Sequence, residues 1–592
     1  MTFTPTAPTG PRDPEPTESG APATSPADTG SHPAIAEPPA ATADQKGRLD
    51  RGVFAVSAVL ALAFVAWGFL SPTGLGSASG NALTWIETNL GWLFVMLASA
   101  FVVFVLWLAA STYGRIPLGR DDEAPEFRTV SWIAMMFSAG MGIGLMFYGV
   151  AEPLAHYVSP PPRSVEAETP EAIQTAMATT LFHWTLHPWA IYAVVGLAIA
   201  YGTFRRGRRQ LISAAFEPLF GRRRTQGPAG KVIDVLAIFA TLFGSAASLG
   251  LGALQIGSGM EILGWAGNVG NGITVAIIAV LTAAFVASAV SGIAKGIQWL
   301  SNINMVLAVV LAAFVFVVGP TVLILNLLPG AIGSYFSDLA QMAARTEASG
   351  GDAMAEWLRG WTVFYWAWWI SWTPFVGVFI ARISRGRTIR QFVTGVLLVP
   401  SVVSLMWFAI FGGAGIAAQR DGADVAGQAT SEGQLFGVLE QYPLATAMTV
   451  LVMVLVAIFF VSGADAASIV MGSLSERGTL SPSRRTVIFW GVVMGAVAAV
   501  MLLIGGDAAL TGLQNLTIIA ALPFALVMVG LAVSLAKDVR SDPMVLRRTY
   551  ATEAVEQAVV DGITRHGDDF VLVVEAGESG DGASAAPRSA RP

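Results

Sequence analysis

Apolar residues do not alternate with polar ones along most of this chain; they run together. Uninterrupted stretches lie near 52–71, 89–111, 130–153, 180–203, 232–263, 271–290, 300–329, 359–383, 390–416, 444–474, 486–505 and 513–536. Each is long enough to cross a bilayer as a helix, which takes about 20 residues. Twelve crossings put both chain ends on the same side. A further stretch, about 330–357, is too polar to span; its Ile332, Phe336, Leu339 and Met342 are spaced for a helix lying flat on the outer face. The ends differ in kind. Residues 1–47 are proline, alanine, threonine and acid, a composition that buries no core and predicts a disordered tail. The chain turns polar again after 537, with 549–562 reading as a short helix and 569–575 as a strand.

Composition agrees. Of 592 residues, 54 % are hydrophobic and 12 % charged, far from a soluble domain and typical of an all-α polytopic membrane protein. Cysteine is absent, which excludes disulfides, thiolate metal sites and cysteine nucleophiles. The polar, proline-rich start does not resemble a cleavable leader. Loop charge then orients the spans. With the N-terminus in the cytoplasm, the inside loops hold Arg115, Arg120, Arg128, Arg205, Arg206, Arg208, Arg209, Arg222, Arg223, Arg224, Lys295, Arg385, Arg387, Arg390, Arg477, Arg484 and Arg485. The outside loops keep Arg163, Arg345, Arg359 and Arg420, so both termini are expected in the cytoplasm.

The chemistry concentrates in a few spans. In the eighth, Tyr365, Trp368, Trp369 and Trp372 fall within one narrow arc of a helix, and Pro374 is expected to break or bend it mid-membrane. Indole faces attract cations best where water is excluded, so this face suits a cation that donates no hydrogen bonds. The plainer alternative is an aromatic belt at the membrane interface. In the fourth span Trp184, Trp189 and Tyr192 form a second aromatic wall. There His183 and His187 have the i, i+4 spacing of a metal pair but no third ligand, which favours helix-to-helix hydrogen bonding.

The third span carries Ser138 and then Gly140, Met141, Gly142, Ile143 and Gly144. Each glycine weakens a helix by roughly 1 kcal/mol relative to alanine, and alternate spacing suits local unwinding better than a packing seam. Unwound backbone survives in lipid only against protein or a water-filled cavity. The fifth span holds Thr241, Ser245 and Ser248; the tenth reads Phe459, Phe460, Val461, Ser462, Gly463, Ala464, Asp465. Intramembrane hydroxyls back-bond to their own helix or ligate a small hard cation, and Asp465 is a functional suspect by its cost alone. No Ser/His pair or His-x-x-Glu-His signature lies within a span, which argues against an intramembrane enzyme; a sensor that does not transport would keep the aromatic pocket alone.

The stretches GMGIGLMFYG, HWTLHPWAIY, SLGLGALQI, YWAWWISWTPFVGVFIARISRGRTIRQF and FFVSGADAASIVMG resemble the betaine/carnitine/choline transporter family, its glycine-betaine importers most, over roughly 50–540. The resemblance implies a LeuT-type five-plus-five inverted repeat, about 130–329 and 359–536, behind two extra helices, with the site at mid-membrane. It implies a homotrimer in the plasma membrane, a small zwitterionic substrate and membrane lipid as partners, and no nucleic acid. By match of motif, Trp184, Trp189, Tyr192 and Trp369 box a trimethylammonium group with Trp372 beside them, next to the Gly140, Met141, Gly142 and Gly144 backbone. Choline importers similar to this chain end the glycine stretch with Asp; here Gly144 favours a zwitterion that brings its own carboxylate. A coupling sodium ion is expected by match at Ser138, Met141, Phe459, Ser462 and Gly463, where Gly463 lacks the usual hydroxyl, and a second at Thr241, Ser245 and Phe375, with no other cofactor. Carnitine, choline, ectoine or proline transport, coupled to protons or run as exchange, is the alternative. The net acidic C-terminal tail departs from the basic helix of osmosensing relatives.

Overall fold

The computed structural model describes residues 48–573 apart from 141, 292–293, 429, 506–508 and 568, and gives backbone only for 137–140, 290–291, 294–302 and 509. The expected disordered tail 1–47 lies outside the described residues. In order the helices are α1 Arg51–Leu70, α2 Pro72–Ala110, α3 Thr129–Gly140, α4 Ile143–Val158, α5 Pro170–Trp184, α6 Leu186–Ala200, α7 Glu217–Thr225, α8 Pro228–Ile262, α9 Asn271–Ser291 and α10 Ala294–Val318. They continue with α11 Thr321–Ala343, α12 Glu347–Leu358, α13 Phe364–Arg382, α14 Ile389–Arg420, α15 Gln434–Leu439, α16 Ala445–Ser475, α17 Arg484–Gly505, α18 Ala509–Arg540 and α19 Pro543–His566. Among the described residues there is no strand, only one isolated bridge between Pro117 and Thr388.

Helix starts follow local chemistry. Asp50 caps α1 by accepting from the Gly52 and Val53 amides at 3.0 and 3.2 Å. Thr388 and Gln391 form a capping box at α14. Eleven helical segments among the described residues are long and apolar enough to cross a membrane. Ten of them match expected spans; the eleventh is α11. The expected third span is split into α3 and α4, each too short by itself. The expected seventh ends at Val318, because Pro320 cannot donate to the Phe316 carbonyl and the Thr321 hydroxyl takes that acceptor at 2.6 Å instead.

That break moves the bounds of the helix expected at 330–357. Helix α11 starts at Thr321, and Glu347 opens a separate helix that runs through a π-turn, Arg359–Val363, into α13. Ile332 and Phe336 are exposed while Met342 is buried, so the four residues do not share one covered face. The C-terminal helix α19 is longer than expected. Residues 569–573 form no strand; Val571 and Val573 are exposed, and an extended segment needs a neighbour to satisfy its amides. Residues 574–575 lie outside the described residues.

Burial identifies the centre of the bundle. The most apolar stretch of α5–α6 is 94 % buried and that of α12–α13 is 83 % buried, against 17 % for α9. A segment apolar all round belongs inside, so α6 and α13, which pack on each other, form the axis of the fold. One end of the bundle gathers the basic loops. The fully buried Arg205 side chain pairs with Asp121 at 2.5 Å and Asp542 at 2.8 Å and donates to the Gly119 carbonyl. Arg208 pairs with Asp538, Arg385 with Glu123 at 2.6 Å, and Lys231 with Asp50 at 2.9 Å.

Candidate functional site

Helix α5 stops at Trp184 and α6 restarts at Leu186, so the fourth span carries a break between its two tryptophans. Pro188 supplies no amide for the Trp184 carbonyl, and Thr185 leaves the helical region (φ −117°, ψ −106°) while its hydroxyl holds the Leu181 carbonyl at 2.6 Å. The break turns Trp184 and Trp189 toward the same cavity. Across from them α13 presents Trp368, Trp369 and Trp372. Trp184 stands edge-on to Trp369 at 4.9 Å and 72°. Tyr192 lies edge-on to Trp369 at 6.2 Å and to Trp189 at 5.3 Å. The rings surround a small cavity lined also by Gly142, Gly144, Pro188 and Ser404.

The three indole N–H groups of α13 are engaged by protein acceptors. Trp369 donates to the His183 carbonyl at 3.0 Å, Trp372 to the Gly244 carbonyl at 2.9 Å and Trp368 to Ser248 at 3.2 Å. Toward this space α13 therefore offers ring faces and edges rather than its indole donors. A cage of this kind attracts a soft, non-donating cation. Gly144 is required by close approach: a Cβ there would lie 2.7 Å from Trp368 and 2.9 Å from Trp184. At Gly244 a Cβ would meet Ser371 at 2.2 Å and Trp372 at 2.9 Å.

The glycine stretch is unwound as its composition implies: α3 ends at Gly140, Gly142 is extended and α4 starts at Ile143. Met141 and the side chain of Ser138 lie outside what is described, and Gly140 is described as backbone alone. The break expected at Pro374 does not occur. Helix α13 runs unbroken through it, because the Thr373 hydroxyl donates at 2.6 Å to Ile370, the carbonyl that a residue-374 amide would have satisfied.

A second, wider cavity meets the first at Gly142 and Trp372. Of the expected ion ligands it gathers Ser245, Phe375, Phe459, Ser462 and Gly463. Ser462 back-bonds to the Ile458 carbonyl at 2.8 Å, and buried Thr241 to Ala237 at 2.9 Å; Thr241 does not line this space. Asp465 is 6 % exposed on α16 and lines neither cavity.

Two residues escaped the sequence reading. Asn304 on α10 lines the second cavity, is 2 % exposed and has no partner for either amide atom. Glu152 on α4 is fully buried and accepts from Trp184 at 2.6 Å and from Tyr365 at 2.5 Å, with His183 Nδ1 2.7 Å away. The rule that singles out Asp465, that a carboxylate inside a span is costly, applies to Glu152 equally. His183 and His187 do not converge on a metal: His183 bridges Glu152 and Thr362, and His187 stacks on Trp366 and reaches Ser99 at 3.4 Å.

The chain has relatives among known proteins. Residues 52–544 match the model for betaine/carnitine/choline family transporters. The chain is 49 % identical over 540 residues to the betaine/ectoine transporter LcoP of Corynebacterium glutamicum, covering 91 % of this chain and 85 % of that one. It is 47 % identical to the glycine betaine transporter OpuD of Bacillus subtilis, covering 82 % and 93 %. With an ectoine/hydroxyectoine transporter of Virgibacillus pantothenticus it shares 39 % identity, over 82 % and 95 %.

Proposed function

Since the chain belongs to the betaine/carnitine/choline transporter family, we propose that it imports glycine betaine or a close zwitterionic analogue across the plasma membrane, driven by sodium. What carries this function is the ring arrangement: Trp184, Trp189, Tyr192 and Trp369, from three helices of two separate spans, line one cavity, with the Trp184 and Trp369 indole donors bonded to Glu152 and the His183 carbonyl. Desolvated cation–π contacts contribute about 2 kcal/mol each, so four rings hold a trimethylammonium group without a carboxylate. Trp372 closes the cage toward the second cavity. Position 144 supports a substrate with its own carboxylate, because the rings already occupy the space an acidic side chain there would need.

The two adjoining cavities suit a path for import. The zwitterion leaves the cage past Trp372 and the extended Gly142 into the wider space that Ser245 and Ser462 line. A zwitterion gains nothing from the membrane potential, whereas each accompanying cation contributes about 2.3 kcal/mol per 100 mV. Sodium is held by Ser138, Met141, Phe459, Ser462 and Gly463, and a second ion by Thr241, Ser245 and Phe375. In the membrane α3–α4 act as one crossing and α10 as another, with α11 along the outer face. That restores twelve crossings, an inverted five-plus-five repeat, cytoplasmic termini at the basic end, and α11 free to contact lipid and two further copies in a trimer.

Uptake of radiolabelled glycine betaine into proteoliposomes tests this. An inward sodium gradient should drive accumulation, potassium alone should not, and choline should compete poorly. Undiminished uptake without sodium overturns the coupling, and choline taken up better than betaine overturns the substrate. A second reading, ectoine in the same cage, is favoured by the names of two relatives; competition by ectoine in the same vesicles decides it.

A further inference from the structure

One buried polar cluster is left over after substrate and ions are placed. Glu152 and His156, one turn apart on α4, and His183 on α5 are all fully buried. Glu152 Oε2 accepts from the Trp184 indole at 2.6 Å and from the Tyr365 hydroxyl at 2.5 Å. Its Oε1 lies 2.7 Å from His183 Nδ1 and 3.5 Å from His156 Nε2. His183 Nε2 in turn lies 2.9 Å from the Thr362 hydroxyl, and Arg345, over the Trp357 ring at 5.3 Å, is the guanidinium that faces both histidines.

A carboxylate sealed inside a bundle is a poor device for stability alone, since apolar side chains of similar volume commonly serve as well. What this one adds is geometry. Of its hydrogen-bond partners, Trp184 is a wall of the cage and Tyr365 stacks on Trp369 at 5.8 Å and 20°, so a single carboxylate touches one cage ring and supports another. The Trp184 hydrogen bond removes the freedom of its ring to turn about its long axis. It also explains how Trp184 keeps its edge-on stance toward Trp369.

We propose that Glu152 is a positioning residue of the cage: it never meets substrate, but by holding Trp184 and Tyr365 it sets the ring faces at the angle a quaternary ammonium needs. This rests on the betaine-transport reading above. The test uses purified full-length protein in proteoliposomes, as wild type, Glu152→Gln, Tyr365→Phe, the double variant and Trp369→Ala. Glutamine keeps the shape and one acceptor but turns a donor toward donors. Glu152→Gln should raise the betaine KM about tenfold, the size of one charge-assisted hydrogen bond, with the change in KM exceeding any change in Vmax or in the KM for sodium. The double variant should be no worse than Glu152→Gln, because both break the same linkage. A wild-type KM in Glu152→Gln, or strictly additive losses in the double variant, overturns the proposal. So does a lower Tm with the KM unchanged, which is what a purely structural role gives. Trp369→Ala separates the two layers: if it alone raises KM, only the positioning role falls, and if it too changes nothing, the cage reading falls with it.

Discussion

Two stretches meet where the cavities join, 140–145 at the break between α3 and α4 and 368–375 in α13, and both contain residues that disfavour helix. Only the first gives up its helical backbone. Gly142 is extended, and its carbonyl takes the Leu145 and Met146 amides that start α4. In α13 the amide missing at Pro374 is replaced by the Thr373 hydroxyl on Ile370, and Ser371 adds a second bond to the Trp368 carbonyl. The difference lies in the local donors: glycines bring none, whereas the hydroxyls beside the proline supply one where it was lost. One side of the cage is thus exposed backbone, and the other is a continuous helix that holds three tryptophans in register.

Removing a ring from the rigid side should cost most. Trp369→Ala takes away a wall worth about 2 kcal/mol, or roughly 30-fold in betaine KM, measured by uptake at saturating sodium. On the glycine side the effect should be smaller. Gly144→Ala puts a Cβ 2.7 Å from Trp368, and overpacking of about 1–3 kcal/mol should weaken betaine binding about tenfold, read by tryptophan fluorescence titration. Thr373→Val should lower stability by about 1–2 kcal/mol by leaving the Ile370 carbonyl unpaired. In a Pro374→Ala background, where the amide is restored, that loss should vanish; a cost that persists would mean the hydroxyl is not the substitute donor.

The smallest effect serves as a control far from the cage. Burial would raise the Asp50 carboxyl, but Lys231 and the Val53 and Gly52 amides outweigh it and hold it below the usual carboxylate value of 3.8. A depressed carboxylate stabilises above its unfolded pKa and loses that contribution as pH falls through the lowered value. Thermal stability should therefore drop below about pH 4, and less so in Asp50→Asn, with no change in betaine affinity.

Much of this was legible in the chain. Helical spacing alone put Tyr365, Trp368, Trp369 and Trp372 on one face, and alternate glycines marked the break at 140–144. Glu152 was legible by the cost that singled out Asp465, since it lies inside the expected span 130–153, whereas Asn304 is a single neutral amide with no spacing to mark it. The restart at Thr321 was signalled by Gly319 and Pro320 but hidden by the unbroken apolar run around them. Pro374 misled for the opposite reason: the breaker is visible, while the repair depends on a hydroxyl rotamer that sequence does not show. The apolar run at 569–575 suggested a strand, yet extended backbone needs a partner that the local sequence does not contain.

The central claim is tested most directly by an experimental structure of the protein with glycine betaine bound. Density for the trimethylammonium group should lie within about 6 Å of the centroids of Trp184, Trp189, Tyr192 and Trp369. Betaine found only in the wider cavity beyond Trp372, with the four rings closed on one another, would contradict it.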